Sequence, residues 1–230
     1  MYITSMETPI IAPPLPARIL EGLERIATAI RADDWARARA AGINPTQLAI
    51  LDGLEGRSTG LVVKDLARQL GVSQPTATDS ILALERKGLL EKRAEPSDGR
   101  SLRVVITEAG RRTVEAAARQ SGAVEQAVGA FEGEEQARML GLVLFLIRQL
   151  QENGAIPIQR MCVSCRHFRP YAHADAAKPH HCNFVDAAFG QQDLRIDCRE
   201  HETADPSVRA ATWAEFHKDH PTHPPGISEG

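Results

Sequence analysis

Three residues, Gly71-Val72-Ser73, constrain the fold of this chain more than any other stretch. Leu66, Ala67 and Leu70 fall on one face of a short helix that stops at Gly71. A glycine there can take the left-handed conformation that ends a helix without a Cβ clash. Ser73 then offers a side-chain oxygen as N-cap of a second helix, with Pro75 in its first turn, where a missing N–H costs nothing. Two helices joined so tightly form a helix-turn-helix, and the outer face of the second is left for a partner. That second helix runs from Gln74 to about Lys87, where Gly88 stops it.

The flanks extend the pattern. Leu89–Ala94 and Leu102–Ile106 read as strands around the turn residues Pro96-Ser97-Asp98-Gly99, a β-hairpin. Upstream, Ile19, Leu23, Ile26 and Ile30 recur at helical spacing, and Asn44-Pro45-Thr46-Gln47 is a capping box opening a helix that buries Leu48, Leu51 and Leu54. Downstream, Thr107 caps a helix beginning at Glu108. A last helix, Glu134 to about Glu152, is apolar nearly all round from Met139 to Ile147, so it needs cover on several sides, part of it from a second subunit.

The run Leu66-Ala67, Leu70-Gly71-Val72-Ser73, Thr76, Leu84-Glu85-Arg86-Lys87-Gly88-Leu89-Leu90, Arg93, Pro96-Ser97-Asp98-Gly99-Arg100 and Thr107-Glu108-Ala109-Gly110 resembles the MarR family of winged-helix regulators. The resemblance spans roughly residues 15–150. It implies a mainly α fold with a β-hairpin wing, N- and C-terminal dimerisation helices, and an obligate homodimer. It also implies recognition helices in successive major grooves of a palindromic double-stranded operator, with wings over the minor grooves.

The net charge of −3 does not oppose this, because residues 57–112 carry 11 Lys/Arg against 7 Asp/Glu. On the recognition helix, Ser73, Gln74, Thr76, Thr78 and Ser80 suit phosphate and base-edge hydrogen bonds, and Gln74 suits adenine. Arg100 is the wing-tip probe with Asp98 to orient it, and Arg93 and Arg103 are placed for the DNA backbone. Asp79 departs from the family pattern. Two roles are open to it, accepting from cytosine N4 or pairing with an arginine. No aromatic cage marks an effector pocket in this part of the chain.

After Gly154 and Pro157 the composition changes. All four cysteines, Cys162, Cys165, Cys182 and Cys198, fall in one segment as C-x2-C-x16-C-x15-C. Such grouping indicates metal ligation. Four thiolates suit both structural zinc and an iron-sulfur cluster. The ligand order and loop lengths, with Phe168 after the pair, resemble those of high-potential iron-sulfur proteins, which implies a 4Fe-4S cluster, with zinc as the alternative. His180, His181 and His201 flank the set; they could replace or back up a ligand, but positions on the surface or behind the ligands are the favoured expectation. A thiol oxidoreductase using Cys162 and Cys165 lacks a βαβ setting.

The expected organisation is therefore a flexible N-terminus (1–14), a winged-helix unit with dimerisation helices (15–153), a four-cysteine metal module (156–202) and a solvated Pro/His-rich tail (203–230) containing His217, His220 and His223. With 43% hydrophobic and 25% charged residues, no bilayer-length apolar run and no leader pattern, the expectation is a cytoplasmic, non-enzymatic regulator. Its DNA affinity would follow the redox or metal state of the module. The alternative is a small-molecule-responsive regulator in which the module is a zinc staple.

Overall fold

The computed structural model describes residues 13–95 and 98–218. Helix α1 (Leu15–Ala40) leads to α2 (Pro45–Leu54), where the Gln47 amide donates to Asn44 Oδ1 at 2.9 Å and the Asn44 amide to Gln47 Oε1 at 3.3 Å, closing the capping box. Strand β1 (Leu61–Val62) precedes α3 (Val63–Leu70). Gly71 then takes φ +63°, in the left-handed region, and α4 (Gln74–Arg86) starts with the Thr76 amide donating to Ser73 Oγ. Strands β2 (Leu90–Glu95) and β3 (Asp98–Ile106) complete an antiparallel sheet of order β1-β3-β2. This is the winged helix expected from the sequence.

Two details differ. The second wing strand begins at Asp98 rather than Leu102, because the ladder continues through a register shift at Ala94/Glu95 to pair Glu95 with Asp98. The two-residue β1 is too short to leave a sequence pattern, and its pairing of Leu61 with Val104 supplies its definition.

Leu48, Ile50, Leu51, Leu54, Leu66, Ile81, Leu84, Leu90, Val104 and Ile106 form one buried aliphatic cluster beneath α2–α4 and the sheet. Each such side chain contributes roughly 1.5–3 kcal/mol by burial. Helix α5 (Glu108–Ala118), capped by Thr107 Oγ1, adds Val114 and Ala117. Helices α6 (Ala123–Gly129) and α7 (Gly133–Glu152) follow, and Asp33 Oδ2 of α1 accepts from the Val124 amide at 3.1 Å.

The cysteine segment folds into a second small unit with an antiparallel sheet of order β4-β5-β6: β4 (Phe168–Arg169), β5 (His180–Cys182) and β6 (Ala187–Phe189). Its core joins Met161, Val163, Phe168, Leu194 and Phe216 to Leu144 of α7, with Leu140 and Ile147 packed alongside. The cover needed by α7 thus comes partly from this unit in the same chain. Leu142, Val143, Leu146 and Leu150 remain exposed, as do Ile19, Leu23, Ile26 and Ile30 of α1.

The segment expected to be a solvated tail instead contains α8 (Pro206–Lys218). Phe216 anchors it: the side chain is 2% exposed and its ring lies 5.8 Å from Phe168, while the Tyr171 hydroxyl donates to the Phe216 carbonyl at 3.1 Å. Trp213, three residues earlier, packs on the same cluster and lies under the Arg148 guanidinium at 5.8 Å. His220 and His223 lie outside the described residues.

Candidate nucleic-acid interface and cysteine cage

Helix α4 buries one face and presents the other. Ala77, Ser80, Ile81 and Leu84 turn inward, so Gln74, Thr78 and Asp79 are exposed on the outward side. Ser80 is 9% exposed, which corrects its expected place at the interface: its position three residues from Ala77 puts it on the core side. The hydroxyls of Ser73 and Thr76 lie 2.7 Å apart within the helix cap, and Thr78 Oγ1 donates to the Gln74 carbonyl at 2.8 Å. These hydroxyls serve the helix start first, which leaves Gln74 and Asp79 as outward polar side chains of its first two turns. Among the described residues, Asp79 has no ion-pair partner.

Leu82, 41% exposed, belongs to the same face. The sequence reading missed it by considering only polar residues, although the four-residue step Gln74, Thr78, Leu82 was visible. Lys64 and Arg68 are exposed on α3, and Arg68 pairs with Asp65 at 2.6 Å. On the wing, Arg93 is exposed and paired with Glu91 at 2.5 Å. Its cross-strand neighbour Arg103 donates to the Gly60 carbonyl at 2.8 Å, pinning the loop before β1. The side chains of Asp98 and Arg100 lie outside the described residues.

The second site gathers all four cysteines, each carrying a free thiol. Cys162 and Cys165 bracket a single 3-10 turn closed by the Cys165 amide donating to the Cys162 carbonyl at 2.9 Å. Cys182 ends β5 opposite Phe168, and the Cys198 amide donates to the Arg160 carbonyl at 2.9 Å. With Phe168 and Phe189 they line one cavity of about 140 Å³. The Arg195 amide donates to Cys162 Sγ at 3.3 Å and its guanidinium to Cys198 Sγ at 3.7 Å. Burial pushes the Cys162 thiol up to about 11, so a bound cation is what would hold it as thiolate. Among the described residues, no three His, Cys, Asp or Glu side chains are grouped as ligands of one metal ion.

The flanking histidines do not line this cavity. His180 is fully buried among Phe168, Tyr171 and Phe216 with Nε2 3.0 Å from Gln191 Oε1, and burial lowers its pKa. His201 Nε2 lies 3.0 Å from Ser164 Oγ, also with its pKa lowered by burial, and His181 faces Asp186 at 3.3 Å. These contacts make them braces of the loops. His167, which was not singled out from the sequence, does line the cavity and lies 3.1 Å from Glu202 Oε1.

The cage also touches the winged-helix unit. Arg199, next to Cys198, pairs with Glu55 at the C-terminal end of α2 at 2.6 Å, and its side chain lies where a Cβ on Gly56 would stand. Gly56 has φ +72°, so the close approach and the turn both require glycine. Arg57 continues the path, donating from Nε to the Gly53 carbonyl at 2.9 Å and from Nη2 to Gln69 of α3 at 3.5 Å. Nothing in the sequence pattern marks this contact, which joins residues far apart in the chain.

Residues 41–101 match the model of the MarR family. No curated protein matches the chain. Among solved structures, a MarR family transcription regulator is 21% identical, with a TM-score of 0.53, over 61% of this chain and 93% of that one. The transcriptional regulator SlyA is 19% identical, with a TM-score of 0.51, over 59% and 95%. CouR from Rhodococcus jostii RHA1, bound to p-coumaroyl-CoA, is 22% identical, with a TM-score of 0.50, over 64% and 98%. These likenesses show the fold. Among the described residues, no helix is long and apolar enough to cross a membrane.

Proposed function

We propose that the protein is a homodimeric, sequence-specific DNA-binding transcriptional regulator whose operator affinity follows the metal or redox state of the cysteine cage. The observation that carries the DNA reading is the outward face of α4, which projects Gln74, Thr78, Asp79 and Leu82 beside the exposed cations of α3 and the wing. Gln74 would read adenine, Asp79 would accept from cytosine N4, and Leu82 would meet a thymine methyl. Lys64, Arg68, Arg93 and Arg100 would hold phosphates.

A second copy supplies the cover that α1 and α7 lack. Ile19, Leu23, Ile26 and Ile30 form a continuous exposed stripe, and α7 shows Leu142, Val143, Leu146 and Leu150 on the side away from the cysteine unit. Apolar faces of this extent are buried in assemblies. Two copies related by a two-fold axis would place two recognition helices on a palindromic site.

A second reading is a small-molecule-responsive regulator with a zinc-stapled cage. It is favoured by a cavity of about 330 Å³ beside Arg31, Asp34, Trp35, Asn44, Pro45 and Thr46, between α1 and α2. CouR, a protein of similar fold, is bound to a small molecule, p-coumaroyl-CoA.

The test is selection of a binding site from random duplexes, followed by titration of that site with metal-loaded protein, metal-free protein and a Gln74→Ala variant at one salt concentration. Loss of preference at a single base with Gln74→Ala supports the recognition face. Absence of any selected sequence overturns the regulator reading, and equal affinity of loaded and metal-free protein favours the second reading.

A further inference from the structure

We propose that the cysteine cage, which rests on the regulator reading for its sensing role, is built for a 4Fe-4S iron-sulfur cluster and not for a single zinc ion. The distinction lies in the shape of the site. Zinc binds thiolate at about 2.3 Å, which draws four sulfurs to within about 4 Å of one another and leaves no space among them. Here the four thiols help to line a cavity of about 140 Å³, and among the described residues no three ligand side chains are grouped for one ion. On the same measure a cavity admits one water at about 10–15 Å³, so the space that the four sulfurs help to line has room for a polyatomic group. A cubane cluster meets this demand, because each cysteine binds its own iron at a separate corner.

The surroundings agree. Phe168, Phe184, Val185, Ala187 and Phe189 give the cavity a largely carbon wall, which would limit the access of water to a hydrolysable cluster. The Arg195 amide and guanidinium supply N–H donors to two of the four sulfurs, the kind of contact that sets cluster potential. The cysteines come from three separate stations, the 3-10 turn with Cys162 and Cys165, the end of β5 with Cys182 and the loop with Cys198, so drawing all four onto one ion would move these elements together.

The experiment is metal and acid-labile sulfide analysis, with visible absorption, on full-length protein purified anaerobically. The expected result is ~four iron and ~four sulfide per chain with a broad visible band. One zinc per chain, iron without sulfide, or a metal-free folded protein would each overturn the proposal. Because Cys182→Ser can fail by unfolding, the second variant is Phe184→Ala, whose residue lines the cavity yet is 51% exposed. It should keep the iron and sulfide content while the visible band bleaches several-fold faster in air. Bleaching at the wild-type rate would place the chromophore elsewhere. None of these readouts involves DNA, so they stand or fall separately from operator binding.

Discussion

The winged-helix unit is closed by an aliphatic core under regular helices, with Leu51, Leu54, Leu66 and Leu84 fully buried, whereas the cysteine unit has short strands, two 3-10 turns and an aromatic core around Phe168 and Phe216. The first packs its aliphatic side chains against one another. The second keeps a cavity among four free thiols at its centre. Burial of aliphatic side chains under capped helices holds the first together, while the second is, on the reading proposed above, arranged around a bound group. It borrows the rest of its core from α7 and α8.

The sharpest way to break this comparison is to treat the protein with a chelator, which would strip the metal proposed for the cage. On a Trp35→Phe background, Trp213 is the sole tryptophan and reports on the cysteine unit. We expect its fluorescence to shift red as that unit loosens, with most of the helical circular dichroism retained. Structural metal sites contribute on the order of 10 kcal/mol to folding, so this is the largest effect. An unchanged Trp213 spectrum would show that the aromatic core suffices.

Paired core truncations come next. Phe216→Ala should cost about 3–5 kcal/mol and Leu54→Ala about 2–5 kcal/mol. The first should unfold the cysteine unit in denaturant ahead of the rest, and the second should abolish DNA binding. One shared transition in both variants would mean that the two units fold as one.

The recognition face predicts a smaller change, a loss of about 1–3 kcal/mol of discrimination at one base with Gln74→Ala, measured by competition between operator variants. On the dimer surface, Leu23→Glu replaces an exposed side chain and should yield a folded monomer by light scattering. A dimer of unaltered affinity would move the interface away from α1.

The smallest effect on stability is expected at the contact between the units. Arg199 is 60% exposed and Glu55 25%, so Glu55→Gln should change stability by only about 0.2–1 kcal/mol. Its informative readout is the ratio of operator affinities of loaded and metal-free protein. We expect that ratio to fall towards one, because the pair joins the Cys198 loop to the end of α2 and, through Arg57, to α3. A ratio equal to that of wild type would return the coupling to α7.

Much of the reading unit was legible locally. The capping residues Asn44, Ser73 and Thr107 and the left-handed Gly71 act over three or four residues, so their effect is written in adjacent letters. The interface residues were less legible. Ser80 was offered for DNA on its chemistry, but the helical period turned it inward, and Arg103 was diverted to Gly60 by a partner 43 positions away.

The sequence by itself determined the helix-turn-helix, the wing and the grouping of four cysteines, because stops, caps and periodicity are short-range. Tertiary structure alone decided that α8 folds onto the cysteine unit, that α7 is covered partly from within its own chain, that the four cysteines line one cavity, and that Arg199 meets Glu55. Each of these depends on pairing residues distant in the chain, and hydrophobic burial, being non-directional, leaves no mark in sequence of which distant partner it will choose.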